Sequence, residues 1–173
     1  QLILPSFDEV ADLINEVDPI ALLAAMAKLR LFLATGLKAE LFAAYQAANA
    51  TFSDIDSSSE NSLKVAVANR SLKNSCLPYL CLLEEHKVLN AQQFIQSNNI
   101  TDTLAALQCS AKYNLPEFSQ QMAEFASKWH DTPLVMDKWF ANYACLASDD
   151  IFEQLTQLTE HALFSLKNPN RAR

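Results

Sequence analysis

Glycine is all but missing from this chain. One glycine, Gly36, serves 173 residues, where average usage of about 7% would give roughly 12. Glycine enters positive-φ backbone without strain, so hairpins, bulges and phosphate-cradling loops rely on it. A chain with a single one is not expected to close a meander, barrel or sandwich. It cannot carry a Gly-rich dinucleotide loop, a P-loop or a G-x-S-x-G nucleophile elbow. Half of the residues are hydrophobic and Ala and Leu dominate them, so the fold class that remains is all-α.

Length and charge bound the chain further. A length of 173 residues suits one domain with one sizeable core. The net charge of −7 repels phosphate backbones, so no nucleic-acid partner is expected. Leu22 to Leu33 is apolar but interrupted by Lys28 and Arg30, so no membrane span is expected. The chain opens on Gln1 and not on Met, and shows no signal peptide, which fits a processed chain or an excised piece. Cys76, Cys81, Cys109 and Cys145 form no C-x-x-C pair and lie in apolar helical surroundings. They read as free buried thiols of a reducing compartment rather than as disulfides or zinc ligands. The N-x-S/T triplets at Asn49, Asn69 and Asn99 carry no weight without a secretory signal.

Helix signals run along the whole chain. Ser6-Phe7-Asp8-Glu9 is a capping box. Asp18-Pro19 starts a helix as N-cap and first residue, and Gly36 is placed to end it in the left-handed conformation. A further helix is expected over about 38–48, and a Ser-rich loop over 53–61. Helices over about 63–72 and 74–85 follow, with Pro78 either opening a helix or kinking one long one. A short helix near 91–97 precedes one capped by Asn99 or Thr101. Pro116 and Pro133 open the next two, and Ser148 or Asp149 caps the last. Stacked helices with short, proline-marked connections suggest a HEAT- or armadillo-like solenoid, although no strict repeat period is visible.

Catalytic chemistry has little support in the residues themselves. His86, His130 and His161 form no H-E-x-x-H or H-x-x-x-H pattern, and each reads as a surface or helix-end histidine. Glu84-Glu85 and Asp149-Asp150 are adjacent, so their side chains do not share a helix face for acid/base work. Trp129, Trp139, Phe140 and Tyr143 read as core. No catalytic and no metal-ligating residue is assigned. The polar tail Asn168-Pro169-Asn170-Arg171-Ala172-Arg173 stands out, because two arginines present forked cationic donors beyond a helix.

That tail belongs to a wider resemblance. Trp129-His130, Leu134-Val135-Met136-Asp137-Lys138-Trp139-Phe140 and Asn168 to Arg173 resemble the bacterial aminopeptidase N (alanyl aminopeptidase) family of zinc metallopeptidases. Phe7 to Val10, Asp18 to Ala21, Leu72 to Leu77 and Asn98 to Asp102 with Leu104 to Leu107 extend the likeness in the same order. The resemblance implies that residues 1–173 are a single piece, interior to the C-terminal helical domain of a cytoplasmic enzyme. The implied fold is a superhelix of paired antiparallel helices packed on the catalytic domain of the same chain.

In that family the domain encloses the active-site chamber that peptides enter, and the enzyme removes their N-terminal amino acids. Its zinc sits in an H-E-x-x-H motif with a distant Glu, and a G-x-M-E-N loop holds the substrate's amino terminus. Neither motif occurs here, so the piece is expected to hold no cofactor and to be inactive alone. The resemblance makes Arg173 the expected chamber cation, with Arg171, Asn168 and Asn170 fixing the loop around it. Peptides are the expected substrates, with neither nucleic acid nor membrane as a partner. A departure from the family pattern lies at Thr132-Pro133, where glycine is common. The competing reading is a free-standing helical-repeat module that binds a protein in a concave groove.

Overall fold

The computed structural model describes residues 4–50, 60–144 and 150–169. Among them the regular elements are all helical, as the scarcity of glycine requires. They are α1 (Phe7–Ala11), α2 (Pro19–Gly36), α3 (Lys38–Ala50), α4 (Glu60–Leu80), α5 (Val88–Gln96), α6 (Ile100–Lys112), α7 (Phe118–Trp129), α8 (Pro133–Ala144) and α9 (Ile151–Glu160), with a 3-10 turn at Glu84–His86. Two compact units divide the chain, Gln1–Leu89 and Asn90–Arg173, and the division falls inside α5.

Local signals explain where the helices start. Ser6 Oγ accepts the Glu9 N–H while the Glu9 carboxylate accepts the Ser6 N–H at 2.7 Å, which completes the capping box. Asp18 accepts the N–H groups of Ile20 and Ala21, each at 3.0 Å, just ahead of Pro19. Of the two candidate caps for α6, Asn99 takes the role and accepts the Asp102 N–H at 3.0 Å. Ser148 and Asp149 lie outside the described residues. Asp150 is the N-cap of α9 without a side-chain cap bond.

Four local expectations are corrected. Gly36 does not enter the left-handed region: it is the last residue of α2, and Leu37 caps it with φ −111°. Among the described non-glycine residues the one positive φ belongs to Asn114, at 47°, just past Tyr113, the C-cap of α6. Asparagine tolerates that conformation better than most residues, so the turn needed no glycine. The two helices expected over 63–72 and 74–85 are one helix, α4, with Pro78 inside it. Pro78 lies two residues before the end of α4, and its missing N–H leaves the Asn74 carbonyl without its i+4 helical donor. Glu60 and Asn61, expected in a loop, already belong to α4. Pro116 sits in the turn before α7, which starts two residues later, at Phe118.

In the first unit α3 and α4 pack along each other. Lys38 at the start of α3 meets Glu85 beyond the end of α4, whereas Asn49 near the end of α3 meets Lys73. The pair is therefore antiparallel. Ala34, Leu41, Tyr45, Ala66, Cys76, Leu77 and Leu80 form its interior. Helix α2 touches both α3 and α4, yet only Met26 and Ala34 of its 18 residues are buried. Ile20 and Phe32 stay 81% and 73% exposed. Contrary to the sequence expectation, α2 is long and apolar enough to cross a bilayer by length and composition. Lys28 and Arg30 sit mid-helix, where each cation in hydrocarbon costs about 3 kcal/mol.

The second unit is built on aromatic residues. Leu107, Phe118, Met122, Phe125, Met136, Trp139, Phe140 and Leu158 form its core. The Trp139 indole donates to the Met122 carbonyl at 2.9 Å, so α7 and α8 are fixed to each other by a bond as well as by packing. Trp139 and Phe140 are thus core residues, as their sequence context suggested, with Trp129 and Tyr143 packed partly buried against them.

A line of buried polar groups also runs through this unit. Asn90 on α5 donates to Ser110 Oγ on α6, and that hydroxyl donates to Gln121 Oε1 on α7 at 2.6 Å. All three residues are buried. Nearby, Gln93 donates to the Asp102 carbonyl at 3.0 Å. Such bonds have value only when the helices meet in one register, so they specify the packing as well as support it.

Candidate functional site

Of the four residues expected to line a substrate chamber, the structure describes one. Asn168 is half-buried in a turn after α9, and its N–H donates to the Ser165 carbonyl at 3.0 Å. Arg173, Arg171 and Asn170 lie outside the described residues.

The approach to Asn168 is closely defined. Helix α9 ends at His161, whose backbone turns to an extended ψ of 134°. His161 Nδ1 accepts the Leu163 N–H at 3.2 Å, and its carbonyl accepts the Phe164 N–H at 2.7 Å. The imidazole lies 5.1 Å from the Trp139 ring and 5.2 Å, edge-on, from Phe140. Phe164 follows it onto Phe140 at 6.0 Å. Ser165 then nucleates the next turn, its Oγ accepting the Lys167 N–H at 3.3 Å.

The other candidates resolve into structural roles. Glu84 pairs with Lys87, and Glu85 with Lys38 at 2.9 Å. These are two separate ion pairs, not an acid/base couple. The Lys38 ammonium holds the Glu85 carboxyl below its usual value. His86 stacks on Phe42 with ring centres 4.6 Å apart, and His130 ends α7 beside Asp131. Cys76, Cys81 and Cys109 are buried and in no disulfide, and burial raises the Cys76 thiol above its usual value. Cys145 lies outside the described residues. No group of three His, Cys, Asp or Glu side chains is placed to hold a metal among the described residues.

A groove of about 620 Å³ lies between α3 and α4. Leu37, Leu41, Ala44, Leu72 and Cys76 line it, together with the acidic residue Glu40. Nothing in it resembles a reaction centre. Two features were not visible in the sequence. The buried Asn90–Ser110–Gln121 line has no local signature, and position 161 showed only that it lies near a helix end.

Paired helices and a packed aromatic core define a class: an all-helical domain. The chain belongs to the family described as "Domain of unknown function (DUF3458_C) ARM repeats", which it matches over residues 1–173. Three of its curated relatives are aminopeptidase N proteins. It is 39% identical to aminopeptidase N of Escherichia coli over 99% of its own length and 19% of that protein. Aminopeptidase N of Haemophilus influenzae is 33% identical over 99% of the chain, again 19% of the relative. Among solved structures, Legionella pneumophila aminopeptidase A in complex with aspartic acid superposes with a TM-score of 0.78 at 26% identity, covering 99% of this chain and 21% of that one. The chain thus spans about a fifth of the relatives it matches. Of the residues that carried the resemblance, Met136, Trp139, Phe140, Cys76 and Leu77 are core, and Lys73 is a buried charged residue.

Proposed function

We propose that this chain is the non-catalytic helical domain of a zinc-dependent aminopeptidase N that removes N-terminal amino acids from peptides. The observation that carries the reading is 39% identity to an aminopeptidase N sustained over 99% of the chain. In this reading the domain packs on the catalytic domain of the same polypeptide and encloses the space that peptides enter. Arg173 offers a cation to the carboxylate end of a peptide. Arg171, Asn168 and Asn170 hold the loop that carries it. The described part of this segment, the Asn168 turn, is closed onto Ser165 by the Asn168 N–H and the Lys167 N–H.

In this reading the zinc is held by the catalytic domain of the parent enzyme, in an H-E-x-x-H motif that this chain does not carry. What this chain contributes is shape and a charged lining, not a reacting group. The test is expression of the complete reading frame beside the 173-residue chain alone. The complete protein is expected to carry H-E-x-x-H and G-x-M-E-N motifs and to cleave an aminoacyl-arylamide in a chelator-sensitive way. The isolated chain is expected to cleave none. Activity of the isolated chain, or a complete protein without those motifs, would contradict the reading and favour a free-standing interaction module.

A further inference from the structure

We propose that His161 is a positioning residue: its imidazole, seated on Trp139 and Phe140 and accepting the Leu163 N–H, sets the course of the chain from α9 into the Asn168 turn. The inference rests on the reading that this tail lines the substrate path.

Two independent sets of contacts converge on one ring. The first is the platform. Trp139 is immobilised by its bond to the Met122 carbonyl at 2.9 Å and by Phe140 edge-on at 5.1 Å and Tyr143 stacked at 5.4 Å. His161 rests against both Trp139 and Phe140, so its ring plane is fixed by the core of the unit. The second is the bond to the departing chain. The Leu163 N–H lies 3.2 Å from Nδ1. An acceptor nitrogen carries no proton, so the N–H of the neutral ring is on Nε2. The ring therefore repeats what an Asn or Asp side chain does when it accepts the N–H two residues on.

The bond acts where the path is decided. His161 is the first residue beyond α9, and with ψ at 134° the backbone could leave in several directions. Holding Leu163 to the ring selects one of them. It also brings Phe164 back under the His161 carbonyl and onto Phe140. The Ser165 turn then follows with the Asn168 N–H closed onto it. An aromatic residue without an acceptor would fill the same space and leave this choice open.

The test uses the complete protein with His161→Phe and His161→Asn. Phe keeps the ring contacts and loses the acceptor, whereas Asn loses the ring and keeps an acceptor for the i+2 N–H. In His161→Phe the amides of residues 161–169 are expected to exchange about three- to tenfold faster, the worth of one net hydrogen bond. The KM for peptides is expected to rise more than that for a small aminoacyl reporter, with kcat little altered. His161→Asn is expected to restore both. Native-like exchange in His161→Phe, or no rescue by Asn, would overturn the inference. So would faster exchange with unchanged peptide KM while Asn168→Ala or Arg173→Ala still raises it, which leaves the chamber reading standing. An unchanged peptide KM in all four variants removes the chamber reading itself, and the inference with it.

Discussion

Replacing Ser110 by Ala removes a single oxygen and leaves two buried polar atoms, Asn90 Nδ2 and Gln121 Oε1, without their bond. The Ser110 hydroxyl accepts from Asn90 and donates to Gln121. Ser110 and Asn90 are each 0% exposed and Gln121 is 3% exposed, so water cannot replace the lost partner. Each buried polar group left unsatisfied costs about 1–3 kcal/mol. The void is one oxygen in size and adds little. Ser110→Ala should therefore cost about 2–4 kcal/mol, the lower end applying if Asn90 and Gln121 relax toward each other. Asn90 Oδ1 already lacks a partner among the described residues, so this side chain has no reserve bond to fall back on.

The assay is urea unfolding followed by circular dichroism, with the slope compared first, since an altered slope would mean a changed unfolded or native state. The control is the same substitution in an Asn90→Leu, Gln121→Leu background, where no partner remains to be orphaned. There Ser110→Ala should cost less than about 0.5 kcal/mol. An equal loss in the two backgrounds would refute the reasoning, because the cost would then come from packing and not from the polar line.

Other outcomes follow from the same geometry. Gly36→Ala should stabilise by about 0.5–1 kcal/mol in thermal melts, because Gly36 is helical and nothing lies within 4 Å of the added Cβ. Phe125→Ala, at 1% exposure in the core of the second unit, should cost about 3–5 kcal/mol in the same melts. The Glu9 carboxyl is lowered by its bonds to Ser6, and that of Glu85 by Lys38, from the usual 4.5. A lowered folded-state value contributes stability above the unfolded value and loses it as pH falls through the folded one. The urea midpoint should therefore decline below about pH 4.5, and less steeply in Glu9→Gln and Glu85→Gln. Cys76 is raised from the usual thiol value of 9.0 by burial, so mass-mapped alkylation at pH 8 should spare it until denaturant is added.

The elements that could be read in advance share a physical property: their determinants are local. Ser6 with Glu9, Asp18 with Pro19, and Asn99 with Asp102 satisfy orphan N–H groups within one turn, so three or four residues suffice to recognise them. The aromatic residues of α8 were legible as core because a large apolar surface has nowhere else to go. What stayed hidden depends on residues far apart. Pro78 is tolerated because α4 is held against α3 and ends at Leu80. Gly36 lost its expected role because α3 restarts at Lys38 and leaves no room for a left-handed turn. The buried line of Asn90, Ser110 and Gln121 spans 31 residues of sequence from three helices, and polar residues carry no mark of burial. At the tail the cations were visible in the string Asn168 to Arg173, but the anchor was not. The ring contacts of His161 come from α8, about twenty residues earlier.

The most direct test of the chamber-domain proposal is a pair of KM values in the complete enzyme before and after Arg173→Ala. One substrate is a small aminoacyl reporter, which ends near the reacting bond. The other is a peptide of several residues with a free carboxylate. The expected result is a rise of about tenfold or more for the peptide, as for a lost charge-assisted hydrogen bond, with a much smaller change for the reporter. An equal change for both substrates, or none for either, would contradict a substrate-lining role for this domain.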